Sequence, residues 1–402
     1  MSRIEELTRE IANGNLEALS ELQALTMEIN RRKECLAMHK TPITQTKSGR
    51  WRTRIGDKQI FKTRLSDLED VIVEYYSEQM TRKTFPEAFN EWIAEKEEFE
   101  EIRKSSITRY RNDFKRFFPE DDPFCRIELK NVSSSELERY IKRTIKRCEL
   151  TRKTYGGLVI IIRGVLRYAK REGWTDFSVS TFFDDLMLSD SIFVKKPPKG
   201  DEEEVFSPDE TALLINYFNE HPSVVHFGLH LMLLSGLRIG ELCALRRNCV
   251  NLKSVSLEVM ASEIQYDDKD GHRVFDVEET PKTDESRRTV YLPDSAATLL
   301  RKIQHKSPFG EWLFSYEDGR RVKSRAFNRA LEVACEKVGI PVRSSHKIRK
   351  TYASTLIDAG VSTKLIQKQM GHKDFQTTKK YYDRDRTGED YKRNEINRAV
   401  SL

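Results

Sequence analysis

The chain is 402 residues long, a length that predicts two to four domains. With 38% hydrophobic and 33% charged residues and a net charge of +6, it reads as a soluble globular protein with a heavily charged, mildly basic surface. No apolar segment in the start MSRIEELTREIANGN suits a signal peptide, the longest apolar run (Val224 to Leu237) is too short to span a bilayer, and the absence of a phosphate-binding glycine loop argues against ATP-driven work.

Residues 1–38 carry Ile4, Leu7 and Ile11, then Leu16, Leu19, Leu22, Leu25 and Ile29, at helical spacing with a break at NGN. This predicts a helical hairpin or a short coiled-coil element, packed on its own chain or on another protomer. Between 40 and 64, Lys40, Lys47, Arg50, Arg52, Arg54, Lys58, Lys62 and Arg64 face a single acid, Asp57. RWRTRI, the IGDKQI turn and IFKTR predict two or three short strands, followed by a helix that Ser66 would cap. Strand alternation sends Trp51, Thr53 and Ile55 one way and Arg50, Arg52 and Arg54 the other. Three arginines on one sheet face suit a DNA groove; an ordinary solvated strand face is the alternative.

Residues 84–188 read as helices throughout, with N-caps at Ser105 or Ser106 and at Ser133 to Ser135. Lys104, Arg109, Arg111, Lys115, Arg152 and Lys153 are placed to follow a phosphate backbone, or form solvated faces. VKKPPKGDEEE, from Val194, reads as a linker. A last domain opens with a helix capped by Ser207, with Pro208 at its first position. The six cysteines form no CxxC pair and no zinc ligand set is present, so they read as reduced thiols of a cytoplasmic protein.

Four stretches of that last domain carry candidate chemistry. In LLSGLRIGELCAL an apolar helix breaks at Ser235-Gly236, and Arg238 and Glu241 follow where a new turn presents both to one place. EETPKTDESRRTVYLP reads as a hairpin with Lys282 near its tip, where a lysine is ordinarily just solvated. In SSHKIRKTYASTLIDAG, Ser345 caps and Gly360 ends a helix, and His346 and Arg349 share a face at its N-terminus. Two basic groups at the positive end of a helix are poorly placed unless an anion is near. After Gly371, His372 sits on a turn, and TTKKYY carries paired tyrosines.

Each stretch alone admits a bland reading: a buried ion pair, a solvated lysine, a surface histidine. Together they suit phosphodiester chemistry. Two guanidiniums hold non-bridging oxygens in bidentate fashion, and each preorganised donor aimed at developing charge is worth about 3 kcal/mol. A tyrosine hydroxyl with a pKa of about 10 needs cations or a base before it attacks, and a lysine ammonium can protonate a leaving 5′-oxygen.

SGLRIGEL, SSHKIRKTYAS, MGHKD and TTKKYY, in that order and approximate spacing, resemble the tyrosine recombinase (phage integrase) family. The resemblance implies a multidomain α+β fold: an N-terminal helical segment (1–40), a small sheet-and-helix arm-binding module (41–82), a helical core-binding domain (83–190), a linker (191–206) and a mainly helical catalytic domain with a small sheet and a C-terminal tail (207–402). It implies Arg238 and Arg349 as a phosphate clamp, Glu241 as support of the first arginine, His346 as general base or hydrogen-bond partner, His372 as phosphate ligand and Lys282 as general acid, with Lys269 and Arg287 in the same region. The family's nucleophile commonly lies nine residues after the Gly-His histidine, and 372 + 9 = 381 selects Tyr381 over Tyr382.

The implied enzyme is a site-specific DNA recombinase, an integrase of phage or conjugative-transposon type, working through a 3′-phosphotyrosine without metal, cofactor or ATP. Implied partners are double-stranded DNA of core and arm type, three further protomers joined by exchange of the tail after the tyrosine, and an excisionase or host DNA-bending protein. A topoisomerase-like relaxing activity and a non-catalytic DNA-binding regulator are the alternatives.

Overall fold

The computed structural model describes residues 3–12, 15, 17–197, 200–279, 287–306, 310–371, 393 and 397. The chain divides into two compact units, Met1–Lys195 and Lys196–Leu402. Both are mainly helical with small antiparallel sheets, an α+β architecture as expected.

In the first unit, α1 (Arg3–Ala12) and α2 (Glu17–Met38) form the hairpin that their spacing predicts. α2 packs on its own chain, against α3 (Leu65–Thr81), and Arg32 reaches Glu69 at 3.3 Å. The strands β1 (Thr44–Gln45), β2 (Trp51–Ile55) and β3 (Lys58–Lys62) make one antiparallel sheet. Its two-residue loop, Gly56-Asp57, brings Ile55 opposite Lys58. Period-two alternation decides the burial: Thr53 and Ile55 turn inward, where Ile55 joins Leu68 and Ile72 of α3, and Arg52 and Arg54 face out.

Ser66 does not cap α3. It lies inside the first turn with its hydroxyl directed to Asp67 Oδ1 at 3.3 Å, and Arg64 holds the cap position without a side-chain bond. Beyond it stand α4 (Phe85–Glu98), α5 (Lys104–Phe117), α6 (Ser134–Arg147), α7 (Arg152–Arg171) and α8 (Val179–Asp185). α5 starts one residue ahead of Ser105, so neither that serine nor Ser106 caps it. Ser133 does cap α6, and Glu136 accepts a bond from the Ser133 N–H at 3.0 Å. The bundle closes on Phe85, Ile93, Tyr140, Leu158 and Ile162, all buried.

Both ends of the segment expected as a linker are packed. Phe193 is buried in the first unit's core, and Glu204, Val205 and Phe206 are buried in the second unit.

The second unit runs through α9 (Asp201–Glu204), α10 (Pro208–Glu220), α11 (Val224–Ser235), α12 (Ile239–Cys243), β4 (Val250–Asn251), β5 (Ser256–Val259), β6 (Ser262–Asp267), β7 (Arg273–Glu278), β8 (Arg288–Tyr291), α13 (Ala296–Lys306), α14 (Ser324–Lys337), α15 (Ser345–Asp358) and α16 (Thr363–Met370). α11 is apolar almost all round, and it packs against α10, α13, α14 and α15. α15 begins at Ser345, so Ser344 rather than Ser345 occupies its cap position.

The described strands on either side of Lys282 do not pair with each other, as a hairpin there would require. β7 pairs back to β6, and β8 pairs with β5, so the two flanking strands belong to different sheets. The cause is local. Asp268 Oδ1 accepts from the N–H groups of Asp270 (3.0 Å) and His272 (2.8 Å), and Gly271 takes φ +81°, which closes β6 onto β7. Val290 of β8 is meanwhile buried opposite Leu257 of β5. Among the described residues no helix is long and apolar enough to cross a membrane.

Candidate active site

The site begins where α11 stops. Gly236 follows Ser235 with φ +63°, and a Cβ there would sit 2.2 Å from the Tyr352 ring, so both backbone and packing demand glycine. The turn aims the Gly236 carbonyl at Arg349 of α15, whose Nη1 donates to it at 2.7 Å. Two residues on, Arg238 holds the cap position of α12 with an extended backbone. Glu241, at the third position of α12, accepts from the Arg238 N–H at 2.8 Å and from its Nη1 at 2.7 Å.

Glu241 is the centre of the cluster. Its side chain is 4% exposed, and it takes two further bonds from Arg288 of β8, each at 2.9 Å, with Arg349 Nη1 at 3.9 Å. Burial raises the pKa of this carboxyl, but the bonds and charge of Arg288 and the charges of Arg349 and Arg238 outweigh it and hold it at about 2. A single permanent anion therefore gathers three guanidiniums. Arg238 is the one that reaches outward, with its side chain 42% exposed.

His346 lies in the first turn of α15, exposed, within charge range of Lys350, Arg349, Lys347 and Arg238. Partial desolvation first, and those cations second, push its pKa below the ordinary 6.5. A neutral imidazole at neutral pH can accept a proton. The depressed value has a sign: below pH 6.5 the unfolded chain takes the proton first, so stability falls as pH drops from that value until the folded ring also protonates. If His346 is the base, single-turnover DNA cleavage should stay level down to pH 6.5 and fall only on the acid side. His346→Gln should remove that limb. A pH–rate profile with its acid limb above 6.5 would rule His346 out as the group responsible.

Arg238, Glu241, His346 and Arg349 are thus brought to one place from two elements, α12 with its cap and α15. Lys282, His372, Tyr381 and Tyr382 lie outside the described residues. Lys269 sits in the β6–β7 turn, and Arg287 is exposed just before β8.

The basic residues of the first unit divide. Arg50, Arg52 and Arg54 are exposed, and Phe61, opposite Arg52 in register, shares their face with Arg50 stacked 5.8 Å from its ring. Lys62 does not join them, because it stands opposite Trp51 on the other side of the sheet, half-buried. Arg64 is exposed ahead of α3. On α5, Lys104, Arg111 and Lys115 project within about 40° of one another and Arg109 projects elsewhere, at about 100° per residue. Arg111 is paired with Glu97 at 2.8 Å. Arg152 stacks 4.9 Å from the Phe193 ring, and Lys153 is exposed beside it.

Two positions whose side chains hold the site's elements together escaped the sequence reading. Arg288 had a signal: Val290 is an inward strand position, and stepping back two residues selects Arg288 over Arg287. Glu204 had none. It is buried between Lys347 and Lys350, bonded to both, and these bonds overcome its burial to hold its pKa at about 2. These two ion pairs tie α9 to the helix that bears His346 and Arg349.

Residues 204–387 match the model of the Phage integrase family. The chain is 24% identical over 308 residues to a tyrosine recombinase XerC-like protein of Caldanaerobacter subterraneus subsp. tengcongensis, covering 71% of this chain and 76% of that one. It is 31% identical over 162 residues to the integrase of Staphylococcus phage L54a, covering 37% of this chain and 44% of that one. Among solved structures, the Tn1549 transposon integrase in complex with transposon right end DNA superposes with a TM-score of 0.56 at 15% identity, covering 79% of this chain and all of that one, a likeness of fold. Residues 204–387 thus form a Phage integrase family domain, and that domain together with the tyrosine recombinase relatives identifies an enzyme of site-specific DNA recombination.

Proposed function

We propose that Arg238 and Arg349 hold the scissile phosphate of one DNA strand while Tyr381 attacks it. The observation that carries this is Arg238, half exposed and locked by Glu241 beside His346 and Arg349. Arg238 meets the phosphate from the surface. Arg349, 1% exposed, engages only as DNA binding opens the groups over its guanidinium. The tyrosyl oxygen bonds to phosphorus, its proton passes to the base His346, and the bond to the 5′-oxygen breaks as Lys282 protonates it. His372 completes the phosphate's hydrogen bonds. A second 5′-hydroxyl reverses the steps and rejoins the strand, so the bond energy is conserved and no ATP is required. A nicked core-site duplex, which loses its short 5′ fragment on cleavage, should trap a detergent-stable protein–DNA adduct without nucleotide. An adduct that forms only with ATP would refute the scheme.

The substrate in this reading is duplex DNA at paired sites. The Tn1549 integrase was solved with transposon right end DNA, and lambda integrase, TM-score 0.52, as a dimer bound to a COC′ core site. By that likeness the helices of 83–190 bind core DNA with Lys104, Lys115 and Lys153 on the backbone; residues 41–82, with Arg50, Arg52 and Arg54 exposed on one face, bind arm DNA in this reading. A tetramer on DNA, joined by exchange of the tail after Tyr381 and controlled by an excisionase or a host bending protein, completes the proposal.

The arginine face of β2 supplies a direct test. Arg50, Arg52 and Arg54 are exposed on one side, and each phosphate that is no longer neutralised should lower the salt dependence of log K by about 0.9. Replacing all three by alanine should weaken arm-site binding and flatten its salt slope by about 2 to 3, with core-site binding unchanged. An unchanged arm-site slope would show that another face holds the DNA.

A further inference from the structure

Arg288 does more than pair with Glu241. Its Nε donates to the Gln369 carbonyl at 2.7 Å, at the C-terminal end of α16. The next carbonyl, that of Met370, accepts from Arg349 Nη2, and the next, that of Gly371, from Arg238 Nη2 at 3.2 Å. Three successive carbonyls are therefore taken by three different guanidiniums, and the same three arginines surround the Glu241 carboxylate. The end of a helix leaves its last carbonyls without helical partners, so cations there both satisfy and fix it.

The Gln369 side chain also seats this end on β8. It accepts from the Tyr291 N–H at 3.1 Å and donates to the Tyr291 carbonyl at 3.2 Å. Gly371, at φ +61°, lies flat against Arg288: a Cβ would sit 3.0 Å from Nη1 and 3.2 Å from Cζ. The chain leaves for His372 and Tyr381 from this point.

We propose that Arg288 is a positioning residue that locks the C-terminal end of α16 to the Glu241 carboxylate, and so sets where the strand-cleaving segment after Gly371 begins. It is the one guanidinium of the three that binds both carboxylate oxygens and a helix-end carbonyl at once. Its Nε, Nη1 and Nη2 are all committed to the Gln369 carbonyl and the two Glu241 oxygens, so it acts through these neighbours and not on DNA. The inference rests on Arg238 and Arg349 being the phosphate clamp.

The test uses the full chain on nicked core-site duplexes selected from a random pool by binding. Arg288→Gln should slow single-turnover adduct formation about 100-fold, as small misplacements at reacting centres do, with half-site affinity unchanged. Arg288→Lys keeps the charge but cannot fork to both Glu241 oxygens and Gln369, and should slow it at least about 10-fold while the protein still folds. A methylphosphonate at the scissile position removes the phosphate's charge. It should restore Arg238→Ala, which lacks a clamp, and leave both Arg288 variants slow. If Arg288→Lys folds and cleaves at the parent rate, or if the methylphosphonate restores it, the positioning role is wrong. If Arg238→Ala alone fails to respond, the clamp assignment falls and the Arg288 result stands by itself.

Discussion

Glu241→Ala should abolish strand cleavage and cost about 3–5 kcal/mol of folding stability, the range for removing one partner from a buried ionic group. The carboxylate takes four hydrogen bonds, two from Arg238 and two from Arg288, and lies 3.9 Å from Arg349. Without it, Arg288 and Arg349, with side chains 6% and 1% exposed, face one another with no counter-charge. The cluster must then open, and Arg238 loses the bond that aims it. Glu241→Gln keeps the shape but not the charge and should fall between the two. The pH dependence has a definite sign. A carboxyl whose pKa is held at about 2, against an ordinary 4.5, contributes fully above pH 4.5 and loses that contribution as pH falls toward 2. Urea denaturation at pH 7 and pH 3 measures this: the difference between parent and Glu241→Gln should shrink at the lower pH. A parent–variant gap that is the same at both would mean that the cluster does not depend on this charge.

Tyr381→Phe should reduce adduct formation by more than about 10³-fold, the scale of losing a nucleophile, with DNA binding intact. Tyr382→Phe should stay within about 2-fold, the size of an ordinary surface effect. The two tyrosines are neighbours, but about 100° apart around any helix that carries them, so only one can be aimed at a given phosphate. A gel assay of the trapped adduct with parent and both variants separates them. Equal losses would indicate that the pair acts as packing and not as nucleophile and bystander.

How much of this was legible from residues alone follows from the range of the forces involved. Local signals carried well. The Ser-Gly break, the Ser207-Pro208 helix start, the Gly371 stop and the in–out alternation of β2 depend on a few adjacent residues, and all stand in the structure. Helix starts at Ser66, Ser105 and Ser345 missed by one or two residues, because several polar side chains compete for each first turn. The expected pairing of the strands flanking Lys282 failed for a different reason. Strand pairing is set by which residues the core buries, and Val290 belongs with Leu257, far away in sequence. The same limit hid Glu204, whose partners Lys347 and Lys350 lie more than 140 residues on. Arg238 and Glu241, three residues apart, could be paired by eye, whereas Arg288 joins the same carboxylate from 47 residues away. The site was therefore readable where it is made by one turn, and unreadable where the fold closes it.

The central claim is that this chain cuts DNA by making a covalent bond through Tyr381. The most direct measurement is to trap the adduct on nicked core-site DNA, digest it and identify the DNA-linked peptide by mass spectrometry. The predicted result is a single linked residue, Tyr381, joined to a 3′-phosphate. Linkage at Tyr382, or no adduct on DNA that the protein demonstrably binds, would contradict it.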